Sequence, residues 1–318
     1  MRKTRTNRFR ILSLALSLVF ASTLSTAAQK KPKEKKEPAA TGAPVLWREP
    51  TDIEHRNVLL GAGGERMKPD LSRVTFVAVQ TGGHSTKYRV KDGAGRDWIA
   101  KVGQEAQSEA AANRLVWVVG YESEITYLVP HLTIEGKGSF DNVRLEARPK
   151  DVKRSGQWSW AENPFKGTPQ LQGLKIMMLL VNNWDMKDEN NEILLPRDAP
   201  SEAEARYIVS DLGGTLGKTG GFISRSRNKP SDFVKADFIA GVKGDRIQFR
   251  YGGKNKQIFE DITVADARWL SRWLKRLSDE QIKDAFRAAN YNAEEVEALA
   301  RAVRERIDEL AKISGNEG

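Results

Sequence analysis

The chain of 318 residues has no cysteine and only three histidines. Without thiols it can form neither disulfides nor thiolate metal sites, so its stability rests on packing. His55, His84 and His131 are scattered, which leaves zinc without a ligand set. Neither a Gly-x-Ser-x-Gly elbow nor a His-Glu-x-x-His stretch occurs, so two common hydrolase designs lack their starting residues. Long apolar runs are also scarce. The main one, Ile11 to Ala21, is shorter than the roughly 20 residues a membrane-spanning helix needs.

That run has a different meaning. Arg2, Lys3, Arg5, Arg8 and Arg10 precede it, and small residues follow to Thr26-Ala27-Ala28, the pattern of a secretory signal peptide over residues 1 to 28. The expectation is an exported protein, periplasmic or extracellular, with no transmembrane segment once the signal is removed. An uncleaved anchor is the alternative. The absence of cysteine excludes a lipoprotein.

The net charge of +10 is unevenly placed. Residues 1 to 28 hold five basic groups and no acid, and residues 29 to 44 hold five lysines against Glu34 and Glu37. Residues 45 to 318 therefore carry only +2. The basic character belongs to a leader and a Lys/Pro-rich linker expected to be disordered, and a nucleic-acid partner loses its main support.

Beyond the linker, Val74, Thr75, Phe76, Val77 and Val79 predict a strand over residues 73 to 80. The turn sequence Thr81 to Thr86 follows, with Gly82 and Gly83. Lys87 to Lys91 and Trp98 to Val102 read as the next two strands, joined through Asp92-Gly93-Ala94-Gly95. Spacing of Ala112, Leu115, Val116 and Val119 predicts a helix over 104 to 118. Strands are expected over 125 to 132 and 140 to 147, and a buried helix from Leu171 to Val181. Short strands follow at Ile193 to Leu195 and Tyr207 to Ser210. After a hairpin around Arg246 to Tyr251 and Gly252-Gly253 the remainder is helical. Asp266 to Leu277 carries one apolar face, and Ser278 with Gln281 and Asn292 with Glu295 have capping-box spacing. Val296, Leu299, Val303, Ile307 and Leu310 form a last apolar stripe.

The chemistry concentrates in Asp185-Met186-Lys187-Asp188-Glu189-Asn190, followed 26 residues after Asp185 by Asp211 in Asp-Leu-Gly-Gly. Phosphoryl transfer needs a carboxylate to orient an acceptor hydroxyl, amide and carboxylate oxygens to hold metal, and glycines where backbone passes close to phosphates. These groups occur in that order.

Asp-Met-Lys-Asp-Glu-Asn resembles the protein-kinase catalytic loop Asp-Leu-Lys-Pro-Glu-Asn, and Asp-Leu-Gly at 211 to 213 resembles Asp-Phe-Gly. The resemblance implies an α+β, two-lobed protein-kinase-like fold. Residues 45 to 150 would be a β-rich nucleotide-binding lobe, and 151 to 318 a mainly helical lobe with the catalytic loop and metal site. It further implies that Asp185 orients or deprotonates the acceptor, that Lys187 approaches the transferred phosphate, and that Asn190 and Asp211 bind Mg or Mn. Lys101, in Trp-Ile-Ala-Lys-Val, would contact the α- and β-phosphates of ATP or another nucleoside triphosphate. Glu109 would pair with Lys101; Glu105 is a weaker competitor for that pairing, because an acid at the helix start is explained by the helix dipole. Gly82 and Gly83 would belong to the glycine-rich loop, with His84 beside them.

The departures are informative. Asn183-Trp184 replaces the usual His-Arg, no Ala-Pro-Glu segment follows Asp211, and the glycine loop lacks its full spacing. This is similar to divergent relatives: HipA-type kinases, phosphatidylinositol kinases and secretory-pathway kinases. The implied activity is an exported phosphotransferase acting on a protein, sugar or lipid hydroxyl. Competing readings are a pseudokinase that binds nucleotide or protein without chemistry, and a scaffold without a nucleotide site. Gly213 to Thr219 also resembles a Walker A loop, but Leu212 stands where its first glycine belongs, and Gly220-Gly221 fall where a helix should propagate.

Overall fold

In the computed structural model the described residues are 42 to 81, 85 to 198, 200, 203 to 221 and 223 to 315. The leader, most of the linker, Gly82, Gly83 and His84 lie outside them. Strand β1 (Ala43–Val45) comes first, so Ala43 and Pro44, read as the end of the linker, are strand residues. A five-stranded antiparallel sheet follows from β2 (Thr75–Gln80), β3 (Thr86–Lys91), β4 (Asp97–Val102), β5 (Thr126–Ile134) and β6 (Gly138–Ala147), in the order β2-β3-β4-β6-β5. Helix α1 (Glu105–Val118) lies between β4 and β5 in sequence.

Strand alternation places the two faces of β4 differently. Trp98 and Ala100 join Val90, Tyr127, Val129 and Leu145 in an apolar cluster. Lys101, also buried, turns instead to the acids of α1. Helix α1 is rich in alanine and buried on nearly every side, so its polar members need partners. Arg114 donates to the Thr126 carbonyl at 2.6 Å.

The second part begins with β7 (Val152–Arg154), α2 (Pro169–Leu180), β8 (Asn191–Pro196) and β9 (Glu204–Val209). A sheet of order β1-β9-β8-β7 forms beside the helices, with β1 parallel to β9. Thr168 caps α2 by accepting from the Leu171 N–H, and Pro169 occupies the first helical position, where no backbone donor is needed. Helix α2 is buried along its whole apolar run. Gly173 permits this, since a Cβ there would come within 2.6 Å of the Trp269 ring.

Helix α3 (Pro230–Val234), the hairpin β10 (Ile239–Lys243) and β11 (Arg246–Phe249), and α4 (Val264–Leu274), α5 (Asp279–Arg287) and α6 (Ala293–Gly315) complete the chain. The hairpin turns at Gly244-Asp245, not at Gly252-Gly253 as the sequence suggested. Helix α4 starts earlier than expected because Thr263 is its cap, in a capping box with Asp266. The expected box of Ser278 and Gln281 is present. All five residues of the last apolar stripe are buried. The layout is therefore the expected α+β one, an antiparallel sheet with one helix followed by a mainly helical portion. No helix among the described residues is long and apolar enough to cross a membrane.

Candidate active site

The Asp185 loop is fixed from both ends. Where α2 stops, Asn182 takes a left-handed conformation (φ 53°), tolerable for asparagine, and its amide donates to the Gly217 carbonyl at 2.8 Å. Asn183 accepts the Asp185 N–H at 3.1 Å. Trp184 and Met186 are buried on either side of Asp185, whose side chain remains partly open. From α6, buried Arg306 donates to the Leu180 carbonyl at 2.7 Å, the Asn182 side chain at 3.1 Å and the Ala236 carbonyl at 2.9 Å.

Both oxygens of Asp185 have cationic partners. Lys254 lies 2.6 Å from Oδ1 and Lys187 3.2 Å from Oδ2. Burial alone would push this carboxyl up, but those lysines and the Asn190 amide outweigh it and hold the group below its ordinary range. Sequence reasoning missed Lys254. It reaches the loop because Gly253 packs on Trp184, where a Cβ would stand 2.7 Å from the Trp184 Cα, while the Lys254 N–H donates to the Trp184 carbonyl at 2.9 Å. Of the two glycines whose composition suggested a hairpin turn, Gly253 serves this close approach, and Gly252 packs on Gly220.

Asn190 ends a short 3-10 turn, and its amide donates to the Asp185 carbonyl at 2.6 Å. Its own carbonyl accepts the N–H groups of Ser210 (2.8 Å) and Asp211 (3.2 Å), which sets Asn190 beside Asp211. Asp211 accepts the Gly213 N–H at 3.0 Å. Burial raises its carboxyl, and Lys101, that N–H and Arg144 pull it further the other way, so the net shift is down.

Lys101 lies 2.7 Å from Glu109, 2.8 Å from Glu105 and 3.4 Å from Asp211. Glu105 is thus more than an acid at a helix start: it also accepts from Ser85 Oγ at 2.5 Å and pairs with Arg227. Glu109, fully enclosed, pairs with Arg144 at 3.1 Å as well as with Lys101; burial drives its carboxyl up against those two cations.

These groups line two adjoining clefts of about 350 and 400 Å³ that share Lys87, Glu189, Asn190 and Asp211. Asp185 and Lys187 face the first, Lys101 and Glu109 the second. Among the described residues no group of three acids or histidines could hold a metal alone. The fit to Mg²⁺ is of another kind, because that ion commonly takes one or two protein oxygens and completes its shell with phosphate and water. Asn190 and Asp211 offer oxygens side by side at such a cleft. The Walker A alternative lacks its helix, since Gly217 to Gly221 and Ile223 to Lys229 run as loop and turn before α3.

No family model matches the chain, and no curated protein does. Solved structures with a similar fold include several kinases. The Helicobacter pylori proinflammatory kinase CtkA is 12% identical and overlaps at a TM-score of 0.49, covering 76% of this chain and 95% of that one. The Golgi casein kinase with Mn and ADP bound is 8% identical, TM-score 0.38, covering 79% and 75%. The Rio2 kinase of Chaetomium thermophilum, in a complex with ADP, Mg²⁺ and phosphoaspartate, is 11% identical, TM-score 0.31, covering 77% and 74%. At such scores the likeness bears on no residue, and the functional reading rests on the chain's own geometry.

Proposed function

We propose that the protein is a kinase-like phosphotransferase that binds a nucleoside triphosphate with Mg²⁺ or Mn²⁺ and moves the terminal phosphate to a hydroxyl. The observation that carries this is the convergence at one pair of clefts of Lys101, held by Glu109, with Asn190, Asp211 and Asp185. Lys101 would contact the α- and β-phosphates, with Glu109 and Arg144 fixing its position. Asn190 and Asp211 would hold the metal, which when bound neutralises charge developing on the phosphate oxygens. Asp185, ionised at neutral pH, suits orienting the acceptor hydroxyl better than strong proton abstraction, because its low pKa makes it a weak base. Lys187 would approach the transferred phosphate.

A cavity of about 630 Å³ would take the base. It shares Gln80, Ile99 and Arg148 with the cleft that holds Lys101 and Asp211, so base and phosphates would form one continuous site. The division at about residue 150 would then separate a nucleotide-binding lobe from one carrying Asp185. The leader supports an exported location, and the acceptor would be a protein, sugar or lipid.

The test begins with melting temperature, with and without ATP or GTP plus Mg²⁺ or Mn²⁺. A metal-dependent rise is expected in the wild type and not in Asp211→Ala; no rise with any pairing would remove the nucleotide-binding reading. Transfer or release of labelled terminal phosphate should then fall about a hundredfold in Asp185→Ala, the order of loss that follows when a reacting group is no longer oriented. One observation favours the pseudokinase reading: both oxygens of Asp185 already have lysine partners that an acceptor hydroxyl would have to displace. Nucleotide binding with no phosphate release, unchanged by Asp185→Ala, would decide for it.

A further inference from the structure

Glu105 bridges Lys101 and the loop that follows Asp211. Its Oε2 lies 2.8 Å from Lys101 and 2.5 Å from Ser85 Oγ, and its Oε1 pairs with Arg227. Gly213 gives the carboxylate room beside Asp211, since a Cβ there would stand 2.9 Å from the same Oε2. One carboxylate thus joins an ammonium and a guanidinium at the edge of the cleft that holds Asp185, Asn190 and Asp211. A phosphoryl group gripped by those two cations would stand in the same place.

Lys101 is already surrounded. Glu109, Glu105 and Asp211 all stand within 3.4 Å of its ammonium, which has three protons to give. A phosphate oxygen that reaches Lys101 must take the place of one of them. Glu109 is enclosed and held by Arg144 as well, and Asp211 is the proposed metal ligand. Glu105 remains, on the open cleft, with a side chain 12% exposed against 3% for Glu109. When it leaves, the Arg227 guanidinium loses that carboxylate and faces the incoming phosphate. The backbone around Arg227 is fixed. Its carbonyl accepts from Gln104 Nε2 at 3.2 Å, and the N–H groups of Ser226 and Asn228 donate to the Lys218 and Thr215 carbonyls at 3.0 Å each. Its guanidinium lies 4.7 Å from the ring of Trp184, the residue before Asp185, and lines the same cleft.

We infer that Glu105 is an internal stand-in for the terminal phosphates of the nucleotide, exchanged for them on binding, and that Arg227 then contacts those phosphates opposite Lys101. This rests on the nucleotide-binding reading given above. The exchange lowers the apparent affinity, because only the fraction of protein with Glu105 displaced can bind.

The test is equilibrium titration of the protein, with Mg²⁺, by ATP and by tripolyphosphate. Glu105→Gln removes the competing charge and should tighten both severalfold. Arg227→Met should weaken both about tenfold or more, the order of one hydrogen bond to a charged group. The deciding measurement is Arg227→Met made in the Glu105→Gln protein. A phosphate contact predicts the same loss again, whereas a guanidinium that only anchors Glu105 predicts none. Melting temperature shows whether each variant is folded. Arg227 is a quarter exposed at the cleft edge, and Arg227→Lys, which keeps the charge and loses the bidentate geometry, should give a smaller loss and replaces the methionine variant if that one does not fold. No tightening in Glu105→Gln, or no further loss when Arg227 is changed in that background, would overturn the inference and leave nucleotide binding standing. Failure of both ATP and tripolyphosphate to bind the wild type would overturn both.

Discussion

Lys254 and Asp185, 69 residues apart in sequence, form an ion pair of 2.6 Å at the centre of the candidate site. Together with Lys187 it keeps the Asp185 carboxyl below its ordinary value of 3.8, overriding burial. A depressed carboxyl contributes stability that is present above the unfolded pKa and lost as pH falls through the lower folded value. Lys254→Met should therefore raise the Asp185 pKa, reduce this pair's stabilisation near neutrality, and move the acid limb of kcat/KM to higher pH. The pH–rate profiles of the two proteins check this. An unmoved limb would mean that Asp185 does not set it.

Gly253 is the condition for that ion pair. A methyl at this position would meet the Tyr251 ring and, at 2.7 Å, the Trp184 backbone, so Gly253→Ala should shift the Lys254 segment, whose carbonyl accepts from the Tyr251 hydroxyl, relative to the loop. The expected cost is about 1–3 kcal/mol in stability, as for overpacking elsewhere. Phosphate transfer should fall more than nucleotide affinity, because Lys101 and Asp211 are not touched. Urea unfolding with parallel kcat and nucleotide-affinity measurements would show it. Gly252 next to it would meet Gly220 rather than the loop, and Gly252→Ala serves as the comparison.

Arg306 acts from a distance on the same loop. It is buried on α6, stacks 4.1 Å from the Phe233 ring, and gathers the end of α2 with the stretch around Ala236. Arg306→Met preserves bulk but leaves several buried carbonyls without donors, and should cost roughly 3 kcal/mol. Denaturant unfolding measures it; a loss under about 0.5 kcal/mol, the range of ordinary surface changes, would contradict the role.

What was legible in the sequence was local or ordered along it. Alternation separated Trp98 and Ala100 from Lys101, cap spacing located α5, and the order Lys101, Glu109, Asp185, Asn190, Asp211 named residues that the fold brings to adjoining clefts. Lys254 gave no such signal, because a lysine after two glycines looks like any loop cation until the chain folds back on Trp184. Glu105 ranks below Glu109 as a partner for Lys101 on sequence, since the helix dipole already explains an acid there and nothing local reveals that Ser85 and Arg227 meet it as well as Lys101. The hairpin was misplaced for a related reason. Gly252-Gly253 has turn composition, yet its glycines answer to packing while Gly244, at φ 64°, makes the turn. Strand β1 was hidden because its register is set by distant β9.

The pair of Lys101 and Glu109 separates a structural ion pair from one that prepares a phosphate site. Both side chains are almost wholly buried, and Glu109 also answers Arg144. Glu109→Gln removes one carboxylate from each of two buried cations, but Lys101 keeps Glu105 and Asp211 and Arg144 keeps Glu146, so the cost should fall below the roughly 3–5 kcal/mol of an unpaired buried charge. A purely structural pair predicts that Lys101→Met with Glu109→Gln recovers part of that stability and that nucleotide affinity follows stability. A phosphate-orienting pair predicts the same recovery of stability but no recovery of affinity, because the methionine restores packing and not the cation. The double-mutant cycle, read once by urea unfolding and once by nucleotide titration, should show a coupling of about 1–3 kcal/mol in stability. In affinity, Lys101→Met alone should already be as weak as the double variant. Recovery of both quantities together would reduce the pair to a structural ion pair and remove Lys101 from the proposed site.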